Sequence, residues 1–507
     1  MNALNTVRIL SRKSDLAIIQ AKEVGANLLK EFPDLNIEYL TKSTLGDKDL
    51  NTPLSQMPTA GVFTDDLREY LINKKCDMIV HSWKDLPLDL GSKTIVAGTL
   101  ARADQRDILF LKKNSINKIK KNKKISILSS SPRRIYNLES FVKDYLPFEL
   151  DEINFMNIRG NIPTRFKKFI KGEEDAFVVA KAAIDRLSNN NLKEFNRISN
   201  SIKDYINKCL WTITPLSINP TSPGQGALAC EIRNEDNTLN NMIKKINHKD
   251  VFDCAEKERK VLKKYGGGCH QKIGVSFFPM FFGLVHSEKG ETDNGHKFSS
   301  WKINENFILN EKILEKDLYP SSLKNYNLFA REEIKESIEL IESLRNHCIL
   351  VSRKSSLPIE AKIHDSNIIW SSGTKTWKAL ANRGVWINGT ADGMGENVDP
   401  RIETLTSYPW IKLTHLGAPK NKIKESVETY KLLEMPIKED IRNKKYFYWM
   451  SSSAFKYVKK YYPEIINANH SCGPGNTYIE IKKIITDPKK LSIALSYNSW
   501  KEKLLND

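Results

Sequence analysis

The feature that most constrains this 507-residue chain is an alternation of short apolar runs with amphipathic stretches. "VRILS" (7–11), "NIEYL" (36–40) and "DMIVHS" (77–82) read as strands. "DLAIIQAKEVGANLLKEF" (15–32) and "TDDLREYLINKK" (64–75) carry apolar residues at helical spacing. The theme returns with "ISIL" (125–128), the helix-like "IYNLESFVKDYL" (135–146) and "AFVVA" (176–180). Strands that alternate with helices specify largely parallel sheets, so the fold class is α/β. In such sheets ligands lie outside the carboxyl ends of the strands. "HSWKD" (81–85) and "SSSPRR" (129–134) stand at two such ends. A helix start with free N–H groups, hydroxyls and guanidinium forks suits an anion. An ordinary N-cap with surface arginines explains the same residues equally well.

"NPTSPGQGALACEIR" (219–233) is a Pro/Gly-rich joint leading into a strand, and a smaller α+β unit follows over 240–345. Within it "EEIKESIELIESLRNH" (332–347) reads as a helix. A fresh α/β pattern starts at "CILVSR" (348–353). The longest apolar stretch, "IGVSFFPMFFGLV" (273–285), is too short to span a bilayer and reads as buried strands. The first residues show no apolar leader, so a cytoplasmic location is expected. The seven cysteines are scattered without a CxxC pair, which points to reduced thiols and to no metal site. Cys269 differs from the rest, because "YGGGCHQKIG" (265–274) strips side chains away just before it. A tight turn or a bulky attached group would each explain that. The net charge of +18 admits a nucleic-acid partner, but the lysines are dispersed and not interleaved with aromatics. A solvated basic face, or a polyanionic small substrate, fits that pattern better.

Taken in order, "RILSRKSDLAIIQA", "TLGD", "GVFTDDL", "VHSWKDLP", "SSSPRR", "IRGNIPTR", "GQGALACE" and "GGGCHQKIG" closely resemble the porphobilinogen deaminase family over residues 6 to about 285. The resemblance implies two periplasmic-binding-protein-like α/β lobes and a small α+β cofactor-carrying domain, followed here by a C-terminal α/β domain. The expected boundaries are 1–105 for lobe 1 with 211–235 returning to it, 106–210 for lobe 2, 236–345 for the domain carrying Cys269, and 346–507 for the last domain. It also implies a dipyrromethane held by a thioether to Cys269, onto which four porphobilinogens are joined with loss of ammonia. Asp85 and Lys84 match the catalytic positions. Ser14, Lys84, Asp85, Ser129, Ser131, Arg133, Arg134, Asn161 and Arg165 match cofactor contacts. Arg12, Arg159, Arg165, Arg186 and Gln225 match substrate contacts. Arg133 and Arg134 are expected to be exposed, as carboxylate clamps would be. A monomer acting on porphobilinogen, with no nucleic acid and no membrane partner, is expected. A two-lobed anionic-solute-binding protein without catalysis is the alternative that the fold alone allows.

The chain departs from the family pattern at Asp15, Ala60, Asp65, Asp66, Leu128, Ala183 and Lys272. None is a named catalytic group. Beyond the usual end of the family, "YFYWMSSSAFKYVKKYYPEIINANHSCGPGNTYIEIKK" (446–483) resembles uroporphyrinogen-III synthase, with its Ser-rich and Gly-Pro turns. That resemblance implies a second activity in a fused chain.

Overall fold

The computed structural model describes residues 5–44, 64–267, 271–304, 313–324, 326–419, 423 and 425–505. The chain divides into two compact units, one comprising Met1–Asp144, Phe148–Pro279 and His286–Trp301, the other the remainder.

The first unit contains β1 (Thr6–Arg12), β2 (Asn36–Lys42), β3 (Met78–Ser82), β4 (Thr94–Gly98), β5 (Asp107–Lys112), β6 (Lys124–Leu128), β7 (Glu152–Met156), β8 (Ala176–Ala180), β9 (Cys209–Ile213) and β10 (Leu228–Arg233). Two five-stranded sheets result, ordered β2-β1-β3-β10-β4 and β7-β6-β8-β5-β9. Each is parallel on one side and closed by an antiparallel strand on the other: β10 runs against β3 and β4, and β5 against β8 and β9. The chain therefore leaves the first sheet after β4, builds the second, and returns through the 219–233 joint. The apolar runs fill the cores, with Val7, Ile9, Met78, Val80 and Ile232 under the first sheet.

Gly226 shows why the joint needs glycine. Its φ is +85°, and a Cβ would sit 2.5 Å from the Ala103 carbonyl oxygen. The α+β part carries β11 (Gly274–Met280), β12 (Gly283–Glu291) and β13 (Lys297–Asn304), a three-stranded sheet. The 273–285 run is thus a hairpin. Three departures sit quietly in this frame. Asp65 and Asp66 occupy the first turn of the helix Asp65–Ile72, where negative charge is favoured, and Lys272 pairs with Glu291 at 2.6 Å.

The second unit holds β14 (Leu318–Tyr319), β15 (Phe329–Glu333), β16 (Cys348–Val351), β17 (Ile368–Ser371), β18 (Gly389–Thr390), β19 (Trp410–His415), β20 (Ser426–Glu434), β21 (Tyr446–Trp449), β22 (Asn469–Cys472) and β23 (Leu491–Ile493). They form sheets ordered β15-β20-β19-β16-β17-β18 and β14-β21-β22-β23. One expectation changes here. The stretch expected to be one helix from 332 begins as β15, paired antiparallel with β20, and the helix is only Glu336–Ser343. The unit's longest segment is Lys302–Asp507, in which β14 and β15 complete its two sheets. A chain cut at Asn346 would leave both strands without their partners.

Candidate active site

A small pocket opens at the carboxyl ends of β1 and β3, lined by Arg12, Ser14, Gln20, Thr64, His81, Ser82 and Asp85 among others. Each wall follows from local sequence. Arg12 ends β1. Ser14 caps the helix Asp15–Glu31, its hydroxyl accepting from the Ala17 N–H. β3 stops at Ser82, and Trp83–Asp85 form a single 3₁₀ turn, so Asp85 does not cap a following helix. The Trp83 ring, fully buried, anchors that turn.

Beside the pocket, one buried carboxylate organises the second sheet's contribution. Asp107, at the start of β5, accepts from Arg133 at 2.8 Å, from Arg134 at 2.8 Å, from the Asn219 amide at 3.1 Å and from the Gln225 amide at 2.9 Å. Burial alone would raise its pKa, but the two guanidiniums hold it far below the usual carboxylate range. Arg133 is only 3% exposed and also donates to Asn219 and the Pro220 carbonyl. The expectation that Arg133 and Arg134 are exposed is therefore corrected: both are committed to Asp107, and Arg133 ties the helix Pro132–Tyr145 to the joint. Gln225, fully buried, relays the arrangement to the pocket. Its carbonyl oxygen faces the Lys84 ammonium at 3.3 Å and Arg134 at 3.5 Å. Burial pushes Lys84 down to about 8, opposed by Asp85 and reinforced by Arg134.

The other expected residues divide into two groups. Arg165 lies within electrostatic reach of the pocket. Burial, together with the Arg134, Arg159 and Arg12 guanidiniums, lowers it to about 10, while Asp85 opposes that shift. Arg12, Arg134, Arg159 and Asp85 are thus all within electrostatic reach of Arg165. Asn161 caps the helix Ile162–Lys171 by accepting from Thr164 N–H at 2.9 Å. Ser131 accepts from the Arg134 N–H, and buried Ser129 from the Ser131 N–H, both at 3.4 Å. Arg186 points elsewhere: it pairs with Glu23 at 2.8 Å, linking the helix Lys181–Ser188 to the helix Asp15–Glu31. Cys269 and Ala60 lie outside the described residues. Approaching Cys269, Gly267 has φ +66°, and a Cβ there would meet the Leu88 side chain at 2.6 Å. Gly267 thus adopts the left-handed conformation that favours glycine.

Sequence reasoning missed Asp107, Gln20 and Thr64. A charge opening the apolar run "DILFL" was the signal for Asp107. Gln20 and Thr64 carried no local signal; Gln20 meets Ser82 at 3.0 Å only because two distant segments fold together.

Residues 7–241 match the family model described as porphobilinogen deaminase, dipyromethane cofactor binding domain. The porphobilinogen deaminase of Chlorobium phaeovibrioides is 35% identical over 276 residues, 54% of this chain and 80% of that protein. That of Nostoc sp. is 34% identical over 282 residues, 54% and 78% of the respective chains. A solved methionine-binding protein, MetQ, covers 51% of this chain and 96% of its own at 10% identity and a TM-score of 0.30, a likeness too low to carry an argument. The chain belongs to the porphobilinogen deaminase family, and its first unit carries the dipyrromethane-binding domain.

Proposed function

We propose that the chain joins four porphobilinogens head to tail on a dipyrromethane bound through Cys269, releasing ammonia at each addition, and that Asp85 is the catalytic carboxylate. Family membership supports the reaction. The observation that carries the site is that Arg12 and Asp85 line one pocket, while Arg165, lowered first by burial and then by Arg134, Arg159 and Arg12, also lies within electrostatic reach of Asp85. Each pyrrole bears an acetate and a propionate, so the cofactor and growing chain form a polyanion. A cleft whose cations repel one another is stabilised by such a ligand. The residues present therefore fit the group.

When bound, the dipyrromethane supplies the pyrrole terminus onto which the units are joined. Asp85 faces the incoming porphobilinogen, stabilises the positive charge that builds as its C–N bond breaks, and takes a pyrrole proton. Lys84, lowered to about 8, sits beside it as a cation that can release a proton near neutral pH. Arg12, Arg159 and Arg165 hold substrate carboxylates, and Ser14, Ser129, Ser131 and Asn161 supply hydrogen bonds to the cofactor. Arg133, Arg134 and Gln225 serve through Asp107, fixing the cleft's shape and charge. Arg186 acts by joining the two lobes.

The intact mass of the purified chain, with Ehrlich's reagent, tests this reading. A dipyrromethane adduct is expected on the Cys269 peptide and is lost in Cys269→Ser, while serine at the other six cysteines is tolerated. An unmodified Cys269 peptide from active protein overturns it.

The second unit is proposed to be a uroporphyrinogen-III synthase that receives the linear product. Support comes from two strand-to-helix turns: β21 runs into Ser451, whose hydroxyl caps the helix Ser452–Tyr461, and β22 runs into a glycine turn where Gly475 packs on Gly395. Fed porphobilinogen, the full chain then releases mainly the type III ring. Type I alone, by chromatography of the oxidised products, refutes the second activity and leaves the first intact. A cytoplasmic monomer without nucleic-acid or membrane partners completes the proposal. Among the described residues no helix is long and apolar enough to cross a membrane.

A further inference from the structure

Behind the pocket lies a second buried carboxylate, one that the reaction as described above does not use. Glu231, on β10, is fully buried. β10 runs between β3 and β4, with Glu231 opposite Ile79 and Val96. One carboxylate oxygen accepts from Arg68 Nε at 2.6 Å and from the Thr94 hydroxyl at 2.6 Å. The other stands 2.9 Å from His81 Nε2. Three elements thus converge on one side chain: the helix Asp65–Ile72 through Arg68, β4 through Thr94, and the end of β3 through His81.

Of the outer contacts, His81 belongs to the pocket itself. His81 lines it and directly precedes Ser82 and the Trp83–Asp85 turn. Arg68 sits in the first turn and a half of a helix whose leading residue, Thr64, also lines the pocket. The Thr64 hydroxyl is buried and has no partner among the described residues, so this wall is not fixed by its own capping bond. Around the ion cluster the packing is apolar, with Leu10, Leu67, Leu71 and Ile79. An apolar residue in place of Glu231 would avoid the cost of burying a charge, but it would not hold His81 and Arg68 in fixed directions. The carboxylate stays ionised. Burial would raise it, yet His81 and Arg68 bring it down to about 2.

We propose that Glu231 is a positioning residue for the deaminase reaction: it holds the Ser82–Asp85 end of β3, through His81, in register with the helix Asp65–Ile72, whose Thr64 walls the substrate pocket. It acts on the reacting atoms only through those neighbours. A shift of about 1 Å in a reacting group can cost on the order of a hundredfold in rate. Loosening the hold on His81, which precedes Asp85 along the same strand and turn, should cost less. The inference rests on the deaminase reading, which wild-type turnover of porphobilinogen tests separately.

The experiment uses the full chain loaded with its dipyrromethane, with loading measured by intact mass. Glu231→Gln keeps the shape and removes the charge. At a temperature well below its unfolding midpoint, kcat is expected to fall roughly tenfold, with KM moving less than threefold and loading unchanged. Thr94→Val removes one donor to the same oxygen and keeps every charge; a fall in kcat of about threefold is expected. A purely structural role lowers the unfolding midpoint and leaves kcat of the folded, loaded protein within twofold of wild type. That result in Glu231→Gln overturns the proposal, and if that variant does not fold, the same result in Thr94→Val does so.

Discussion

Replacing Arg102 by methionine should strongly destabilise the first unit. Glu258, in the helix Lys249–Lys264, is fully buried, and four groups donate to its carboxylate. Arg102 gives both forks, at 2.7 and 2.8 Å; Gly224 N–H gives one bond at 2.7 Å and Phe277 N–H one at 2.8 Å. Arg102 Nε also reaches the Gln225 carbonyl at 2.9 Å. Gly224 and Gln225 belong to the joint and Phe277 to β11, so this pair fastens the α+β part to the lobes. The pair itself, measured against a well-packed apolar replacement, is worth little, because desolvation offsets attraction. Removing one partner is different, since it leaves a buried charge uncompensated at a cost of about 3–5 kcal/mol. At roughly 2–4 °C per kcal/mol for a unit of this size, Arg102→Met should lower its unfolding midpoint by on the order of 10 °C. Replacing both residues with apolar ones removes the stray charge but orphans the two amides, at about 1–3 kcal/mol each, so the double variant should recover only in part. Calorimetry of the full chain reads both values. A midpoint for Arg102→Met within 2 °C of wild type would refute the reasoning.

Asp85→Asn keeps the shape of the pocket and loses its charge; turnover of porphobilinogen should fall on the order of a hundredfold or more while the cofactor remains attached, and near wild-type turnover would be falsifying. Asp107→Asn should leave Arg133 and Arg134 short of their counter-charge inside the protein, costing about 3–5 kcal/mol of stability as read by denaturant titration; an unchanged midpoint contradicts the hub assigned to it. Lys84, lowered to about 8, should impose a pH dependence: its positive charge is present below that value and lost above it, so KM for porphobilinogen should rise above pH 8, and Lys84→Arg should remove that break. His470 is buried, accepts from Trp449 Nε1 at 2.9 Å and is lowered by burial from 6.5 to about 4. The unfolded chain takes up its proton first as pH falls, so stability of the second unit is complete above about 6.5 and is lost toward pH 4, by about 2 kcal/mol at pH 5. Flat melting of that unit between pH 7.5 and pH 5 would count against this.

Some of this was legible in the sequence because it depends on neighbours along the chain. The alternation of strand and helix periods fixed two α/β sheets, since burying one face of each element needs only the local pattern. "HSWKD" could be placed at a strand end because polarity changes there, and "YGGGC" could be read as a turn or as a place for an attached group. What charge does inside the fold is another matter. Arg133 and Arg134 looked like free clamps, and only the return of the joint beside β5 shows Asp107 between them. Glu231, His81 and Arg68 are separated by up to 163 residues and meet only in the folded sheet. Residues 332 and 333 turned from expected helix to strand because β20 offered a ladder that no local propensity encodes. Period and turn chemistry are properties of a segment, whereas burial, pairing and ionisation are set by residues that tertiary folding brings alongside.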